Sequence, residues 1–442
     1  MFVFKMNSEN IFYELTAKGV HTFFLTMAII TFTIKILRWL NVSQKTSDKF
    51  NKLQKRFFAG FVLFNFPIYV IGPFTGALYK EYGITKNEKA TISILLNITI
   101  SISSFFVGKI IKMFGHRKSI VIATLTSSIG NALRYFGTPL SFRIASLFIG
   151  FSAALSKIVL DDFFFTEESE INEPNSGIIF SENKSFFGFV IFLGSSPIGD
   201  TFYRYFSVEK IFLFASIVFA LIIIPLWFLF YPTVGKKSKE ESKGGFSQTM
   251  YNLTHPFFNL EFTTFAMVVC YEIIPVIFFS GLSSYFEGLP SGSISGIFGI
   301  SKVFGVLLLQ RIQNIIQNKI KILAIFCLVD IIFFLVFYKF YYAHDISLIC
   351  FIMFGMADSI ITAILLSFQK SYYHQETRAT TAGISKFLTS LISSFIIYKL
   401  QSYSFETKIK VCITLIMLLP ALGSMIYIYE QRHKEVKDKK SE

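Results

Sequence analysis

Lys157, Asp161, Lys184, Glu272, Lys302 and Lys386 stand inside or at the edge of otherwise apolar runs. An ionisable side chain surrounded by hydrocarbon is costly, so it faces a helix-bundle interior or a water-filled cavity and finds a partner there. The chemistry open to such groups is not covalent. They can bind an anion, hold a proton, or form ion pairs that a solute breaks. Lys157 and Asp161 are four residues apart, so they can pair on one helix face. That pair is either part of a cavity or a charge pair at its mouth. Glu272 sits in Ala266-Met-Val-Val-Cys-Tyr-Glu272-Ile-Ile-Pro275, well inside its apolar run and with no cation within four residues. It must therefore pair across helices, reach water or stay protonated. Lys302 (Gly-Ile-Ser-Lys-Val-Phe-Gly) and Lys386 (Gly-Ile-Ser-Lys-Phe-Leu) have similar surroundings. Each of the two, like Lys184, either attracts an anion or satisfies Asp161, Glu272, Asp330 or Asp358.

A second feature is the basic string Gly108-Lys-Ile-Ile-Lys-Met-Phe-Gly115-His-Arg117-Lys. Glycines allow close helix approach, and a basic run holds a short loop on the cytosolic side. The string is therefore either a gating element or simply a tight basic turn. Soluble catalytic signatures are absent: there is no Gly-x-x-x-x-Gly-Lys-Ser/Thr, His-Glu-x-x-His or Gly-x-Ser-x-Gly. The histidines are scattered, which predicts no metal site. Cys270, Cys327, Cys350 and Cys412 lie in apolar runs without Cys-x-x-Cys spacing and read as small hydrophobes. No cofactor and no enzyme activity are expected.

The elements that must position these residues are membrane spans. Of 442 residues, 53% are hydrophobic, 56 are Phe and only 16% are charged. An ordinary soluble domain carries about 25% charge. Continuous apolar runs, rather than alternating ones, exclude a transmembrane barrel. Stretches long enough to cross about 30 Å of hydrocarbon are expected at 20–40, 57–79, 90–111, 117–137, 141–165, 184–203 and 210–231. Six more follow at 261–286, 291–312, 320–341, 346–371, 379–400 and 407–429. A basic linker, 232–258, separates the two sets of six, and a charged tail closes the chain. The first span is either an additional transmembrane helix or a signal peptide; Lys35, Arg38 and Trp39 end it as an interfacial anchor does.

Lys and Arg between spans favour, by about two to one, the side holding the linker and the C-terminus. That side is expected to be cytosolic, with the N-terminus outside and the plasma membrane as the location. The net charge of +14 then belongs to loops facing anionic lipid rather than to nucleic-acid binding. The four Asn-x-Ser/Thr sequons fall in spans or on the cytosolic side, so no glycosylation is expected.

After the one additional span, the six, the linker and the six more resemble the layout of the major facilitator superfamily, two six-span bundles. Within it, several patches resemble the eukaryotic molybdate-anion transporter family. Gly72-Pro73-Phe-Thr-Gly-Ala-Leu78-Tyr79 is similar to that family's end of the first core span. Gly150-Phe-Ser-Ala-Ala-Leu155, followed by Asp161-Asp-Phe163, resembles its fourth, with Asp161 at the family Glu. Glu272 matches a Glu of the seventh span, and Lys184 falls where a basic residue opens the fifth. Arg378-Ala-Thr, then Gly383 and Lys386, resembles an Arg-Ala-Thr…Arg pattern. Departures are Ile68 and Lys112, each where the family has Asp. The resemblance implies an all-α membrane protein, a 6+6 helix bundle with an additional N-terminal transmembrane helix. It implies a monomeric secondary transporter of a small molecule or oxyanion, plausibly molybdate, with protons as a candidate coupling ion. Lys184, Lys302, Lys386 and Tyr79 are the expected substrate-binding residues. Lys157, Asp161, Glu272, Gly108, Gly115, Arg117 and Arg378 are the expected coupling or gating residues. The rival readings are transport of a sugar, nucleoside or amino-acid-type solute, or a receptor or scaffold that moves nothing.

Overall fold

The computed structural model describes residues 26, 46–173, 176–231, 260–282, 291–340, 344–373, 378–400 and 405–441. Apart from residue 26, the span expected at 20–40 lies outside them, as does the linker at 232–258. The described chain is helical throughout, and no strand occurs among these residues. The first half contains α1 (Asp48–Ile71), α2 (Thr75–Glu81), α3 (Lys86–Tyr135), α4 (Pro139–Ser169), α5 (Ser176–Tyr205) and α6 (Val208–Leu229). The second contains α7 (Leu260–Leu282), α8 (Ser291–Ile315), α9 (Lys319–Phe340), α10 (His344–Tyr372), α11 (Arg378–Leu400) and α12 (Phe405–Ser441).

The backbone leaves regular helix at two places along the expected spans. A 3₁₀ turn, Gly72–Phe74, separates α1 from α2, with Pro73 inside it. Proline has no N–H to give the preceding turn, so the regular ladder stops there. α3 holds two expected spans, 90–111 and 117–137, joined at Gly115 with φ 73° and ψ 166°. That conformation is essentially reserved for glycine. The chain reverses there, so the two ends of α3 lie together: Gly137, just beyond its last turn, packs against the Tyr82 ring just before its first. Thr85 and Glu88 form a reciprocal capping box at the start of α3, as Thr138 and Ser141 do at α4. Such caps satisfy the orphan N–H groups of a first turn. α12 continues as helix through the charged tail, whose Glu, Lys and Arg are good helix formers.

Eight helices among the described residues are long and apolar enough to cross a membrane, and the one at 87–135 is two spans long. Their outer faces show why. Leu221, Ile224 and Phe228 on α6, and Leu328, Ile332 and Leu335 on α9, are exposed at helical spacing. These stripes suit lipid, where association rests on packing rather than on hydrophobic drive. Inward, each half has its own core. Phe57, Phe164 and Phe180 anchor one, with ring centroids 5.3, 5.0 and 4.1 Å apart in their three pairings. Phe278, Phe333, Phe334 and Phe354 anchor the other.

Candidate functional site

The named contacts between the halves run from the middle of the helices to the side where α4 ends and α11 begins, hereafter the linker side. Along one seam α3 meets α11. Ser101 Oγ donates to the Phe387 carbonyl at 2.8 Å. A Cβ on Gly383 would stand 2.4 Å from the Ser104 carbonyl oxygen, and one on Gly108 2.9 Å from Thr380 Cα. Along the other seam, α5 meets α8 and α10. There Phe189 packs with Ile300, Val303 and Leu307, and Lys370 Nζ reaches Glu168 Oε1 at 2.9 Å and the Ser176 hydroxyl.

Between the seams lies a cavity of about 660 Å³, including open space at its mouth. Glu272 lines it at the end away from the linker side. Its Oε1 accepts from Lys157 Nζ of the first half at 2.7 Å, and its Oε2 from Lys386 Nζ of its own half at 3.4 Å. One carboxylate is thus shared by two ammonium groups. The side chains are 49% (Lys157), 27% (Glu272) and 24% (Lys386) exposed, so the group meets solvent-accessible space rather than sealed core. This answers the question that Glu272 poses in the sequence: its partners come from α4 and α11.

Other expected residues fall differently. Lys157 does not pair with Asp161, although the two share a helix face. Lys157 turns to Glu272 across the cavity, and Asp161 Oδ1 accepts from Lys184 Nζ of α5 at 2.5 Å. Both Lys157 and Asp161 still line the cavity. Lys302 is not among the lining residues. It pairs with Asp358 Oδ2 at 2.7 Å, over the Phe298 ring at 4.6 Å. Asp358 also accepts from the Tyr271 hydroxyl at 2.9 Å. Tyr79 lies far from the cavity, edge-on to Phe142 at 5.3 Å in the core at the opposite end of the first half. Arg117 stacks on α6, its guanidinium carbon 3.6 Å from the Trp227 ring centroid, an arrangement that ties the basic turn down. Its neighbour His116 meets Asp162 at 2.8 Å. Gly108 and Gly383 serve the α3–α11 seam, and Gly115 the chain reversal. Arg378 lines the cavity at its linker-side end, 5.6 Å from the Phe165 ring centroid.

Several lining residues carry no signal in the sequence that would single them out: Asp162, Gln369, Lys370, Tyr373 and Ser385. Lys370 reads there only as one more basic residue near a helix end. The described cysteines are all free, and Cys327, Cys350 and Cys412 are buried, as small hydrophobes are. No cluster of metal-ligating residues occurs among the described residues.

The sequence model of the Major Facilitator Superfamily matches residues 57–397, most of the chain. The chain belongs to the Major Facilitator Superfamily. Among solved structures, the human organic anion transporter MFSD10 is similar over 85% of this chain and 99% of that one, with TM-score 0.65 and 12% identity. An E. coli fucose:proton symporter is similar over 83% and 97%, with TM-score 0.60 and 13% identity. A bacterial homologue of the iron transporter ferroportin, in its outward-facing state, is similar over 86% and 99%, with TM-score 0.65 and 11% identity. At such identities the likeness is one of fold. No curated protein matches the sequence. As a major facilitator the chain is a multi-pass integral membrane protein and a transporter, and its substrate is a small molecule.

Proposed function

We propose that this major facilitator carries a small oxyanion, molybdate or one of similar size and charge, by alternating access of the two halves to a midplane site. One observation carries the reading. Lys157 and Lys386 compete for the single carboxylate of Glu272, which leaves one positive charge in excess inside a water-reached cavity. An ammonium within a membrane-embedded cavity that has only a share of one carboxylate is a candidate anion site. An entering oxyanion would take over one of the two lysines. Because Lys157 belongs to one half and Glu272 to the other, that exchange would loosen a bond between the halves. Asp161 and Lys184 would hold α4 and α5 in register while this happens. The linker side would be cytosolic, and protons remain a candidate coupling ion.

The test is uptake by purified protein in proteoliposomes, with and without a pH gradient. Labelled molybdate, sulfate, a sugar, a nucleoside and an amino acid would be compared. Saturable molybdate uptake that sulfate competes and the neutral solutes do not is the expected result. Uptake confined to an uncharged solute would overturn the anion assignment, and no flux of any kind would favour a receptor or scaffold.

A further inference from the structure

The cavity continues from the triad toward Arg378, and its linker-side part has a chemistry of its own. Arg378, Tyr373 and Ser385 line it, with relative exposures of 9%, 4% and 2%. Arg378 Nε and the Ser385 hydroxyl are buried and have no hydrogen-bond partner among the described residues, and the Tyr373 hydroxyl, with the Gln369 side chain beside it, makes no hydrogen bond of ordinary geometry. Buried polar groups are normally satisfied, and an unsatisfied one asks for an explanation. Here three occur along one wall of one cavity, and all three can donate. Arg378, Ala382 and Ser385 recur at helical spacing on α11, so one face of that helix lines the space. Ala379 and Ala382 leave room beside them.

The acids nearby are engaged. Asp161 accepts from Lys184 at 2.5 Å, Asp162 meets His116 at 2.8 Å, and Glu168 accepts from Lys370 through Oε1 at 2.9 Å, while its Oε2 is buried without a partner and is not among the lining residues. Glu261, at the start of α7, accepts from Thr381 Oγ1 at 3.2 Å. Among the lining residues, the buried groups without a partner are the donors on α11 and at Tyr373. Arg378 lies about 12 Å along the helix axis from Lys386 and about 10.5 Å from Ser385, so these donors succeed one another along the cavity rather than converging on one point.

We propose that Ser385, Tyr373 and Arg378 form a second, elongated oxyanion station, a succession of donors leading from the Lys157–Glu272–Lys386 triad toward the linker side. The inference rests on the anion reading of the triad and extends it. A solute leaving Lys386 would pass to hydroxyl donors and then to a guanidinium, which can bind two oxygens of one anion. The second station would be weaker than the first.

Equilibrium binding of labelled molybdate to purified protein tests this. Four proteins are needed: wild type, Lys386→Ala, and Lys386→Ala combined with either Tyr373→Phe or Ser385→Ala. The last two changes each remove one hydroxyl oxygen and little else, and melting curves check that the fold survives. The expected result is tight binding to wild type and weaker, saturable binding to Lys386→Ala. Each hydroxyl deletion should weaken that residual binding by about tenfold. Residual binding that is indifferent to both hydroxyl deletions overturns the second station, as does its absence when wild type binds tightly; both leave the triad reading intact. Wild type that binds no molybdate, or Lys386→Ala that binds as wild type does, overturns the triad reading and the station with it.

Discussion

Replacing Gly383 by Ala should shift this transporter toward the state open on the linker side. The new Cβ would stand 2.4 Å from the Ser104 carbonyl oxygen. Ordinary contact begins near 3.4 Å, so α3 and α11 must part by about 1 Å at that level. The obstacle is backbone on both sides and cannot rotate away. Overpacking of this kind costs about 1–3 kcal/mol. The helix-propensity gain of Ala over Gly cancels, because α11 is helical in both states. The cost therefore falls on the closed arrangement alone and raises the open population by about 5- to 150-fold. Gly108→Ala should act in the same sense but less, because part of its clash is with the movable Thr380 hydroxyl. The controls lie on the other seam. A Cβ on Gly299 would be 3.9 Å from the Phe189 ring, and one on Gly177 3.6 Å from Ser367 Cα, both ordinary contacts. The assay is the labelling rate of Ser385→Cys from the linker side, in a background with the native cysteines replaced by Ala. Ser385 is 2% exposed in the closed arrangement, so the starting rate is low. Faster labelling with Gly383→Ala and Gly108→Ala, and no change with Gly177→Ala and Gly299→Ala, is expected. Equal rates in all five proteins would refute the claim that the α3–α11 seam holds the linker side shut.

Glu272→Gln should leave Lys157 and Lys386 facing each other without a shared carboxylate, and solute uptake should fall by at least about tenfold, since a charged hydrogen bond contributes about 1.5–3 kcal/mol; full uptake in the variant would remove Glu272 from the mechanism. Gly115→Ala forces a Cβ into a backbone region close to glycine-only, so the melting temperature should drop by an amount reflecting about 1–3 kcal/mol, and an unchanged value would mean the reversal tolerates side chains. Arg117→Ala removes the stacking on Trp227, 3.6 Å away, and should cost about 0.5–2 kcal/mol of stability with little change in the KM for uptake. A large KM change there would assign Arg117 to the site instead.

Much of the architecture is legible in the sequence because lipid imposes a simple rule: a span must be long, apolar and helical. Twelve of the expected spans correspond to helix in the structure, two of them inside α3. What bends the chain is also visible, since Pro73 and Gly115 are residues that regular helix disfavours. Pairing is less legible. The spacing of Lys157 and Asp161 states only that they share a helix face, while the third dimension offers Lys157 a carboxylate on α7 and Asp161 an ammonium on α5. Lys302 and Lys386 sit in nearly the same local sequence, Gly-Ile-Ser-Lys, yet one is held by Asp358 and the other borders the cavity. Their difference lies in the helix face each occupies, Lys302 beside Asp358 of α10 and Lys386 beside Glu272 at the cavity. Ser385 and Tyr373 are invisible for a different reason. A hydroxyl in a span is common, and only the missing partner makes these two stand out.

Anion transport by this chain depends most directly on the surplus cation beside Glu272. Molybdate uptake should be measured in vesicles from cells shown to hold equal amounts of wild type and Lys386→Ala, across a range of substrate concentrations. A loss of saturable uptake in Lys386→Ala is the predicted result, and the same rate and the same KM in both proteins would contradict the account.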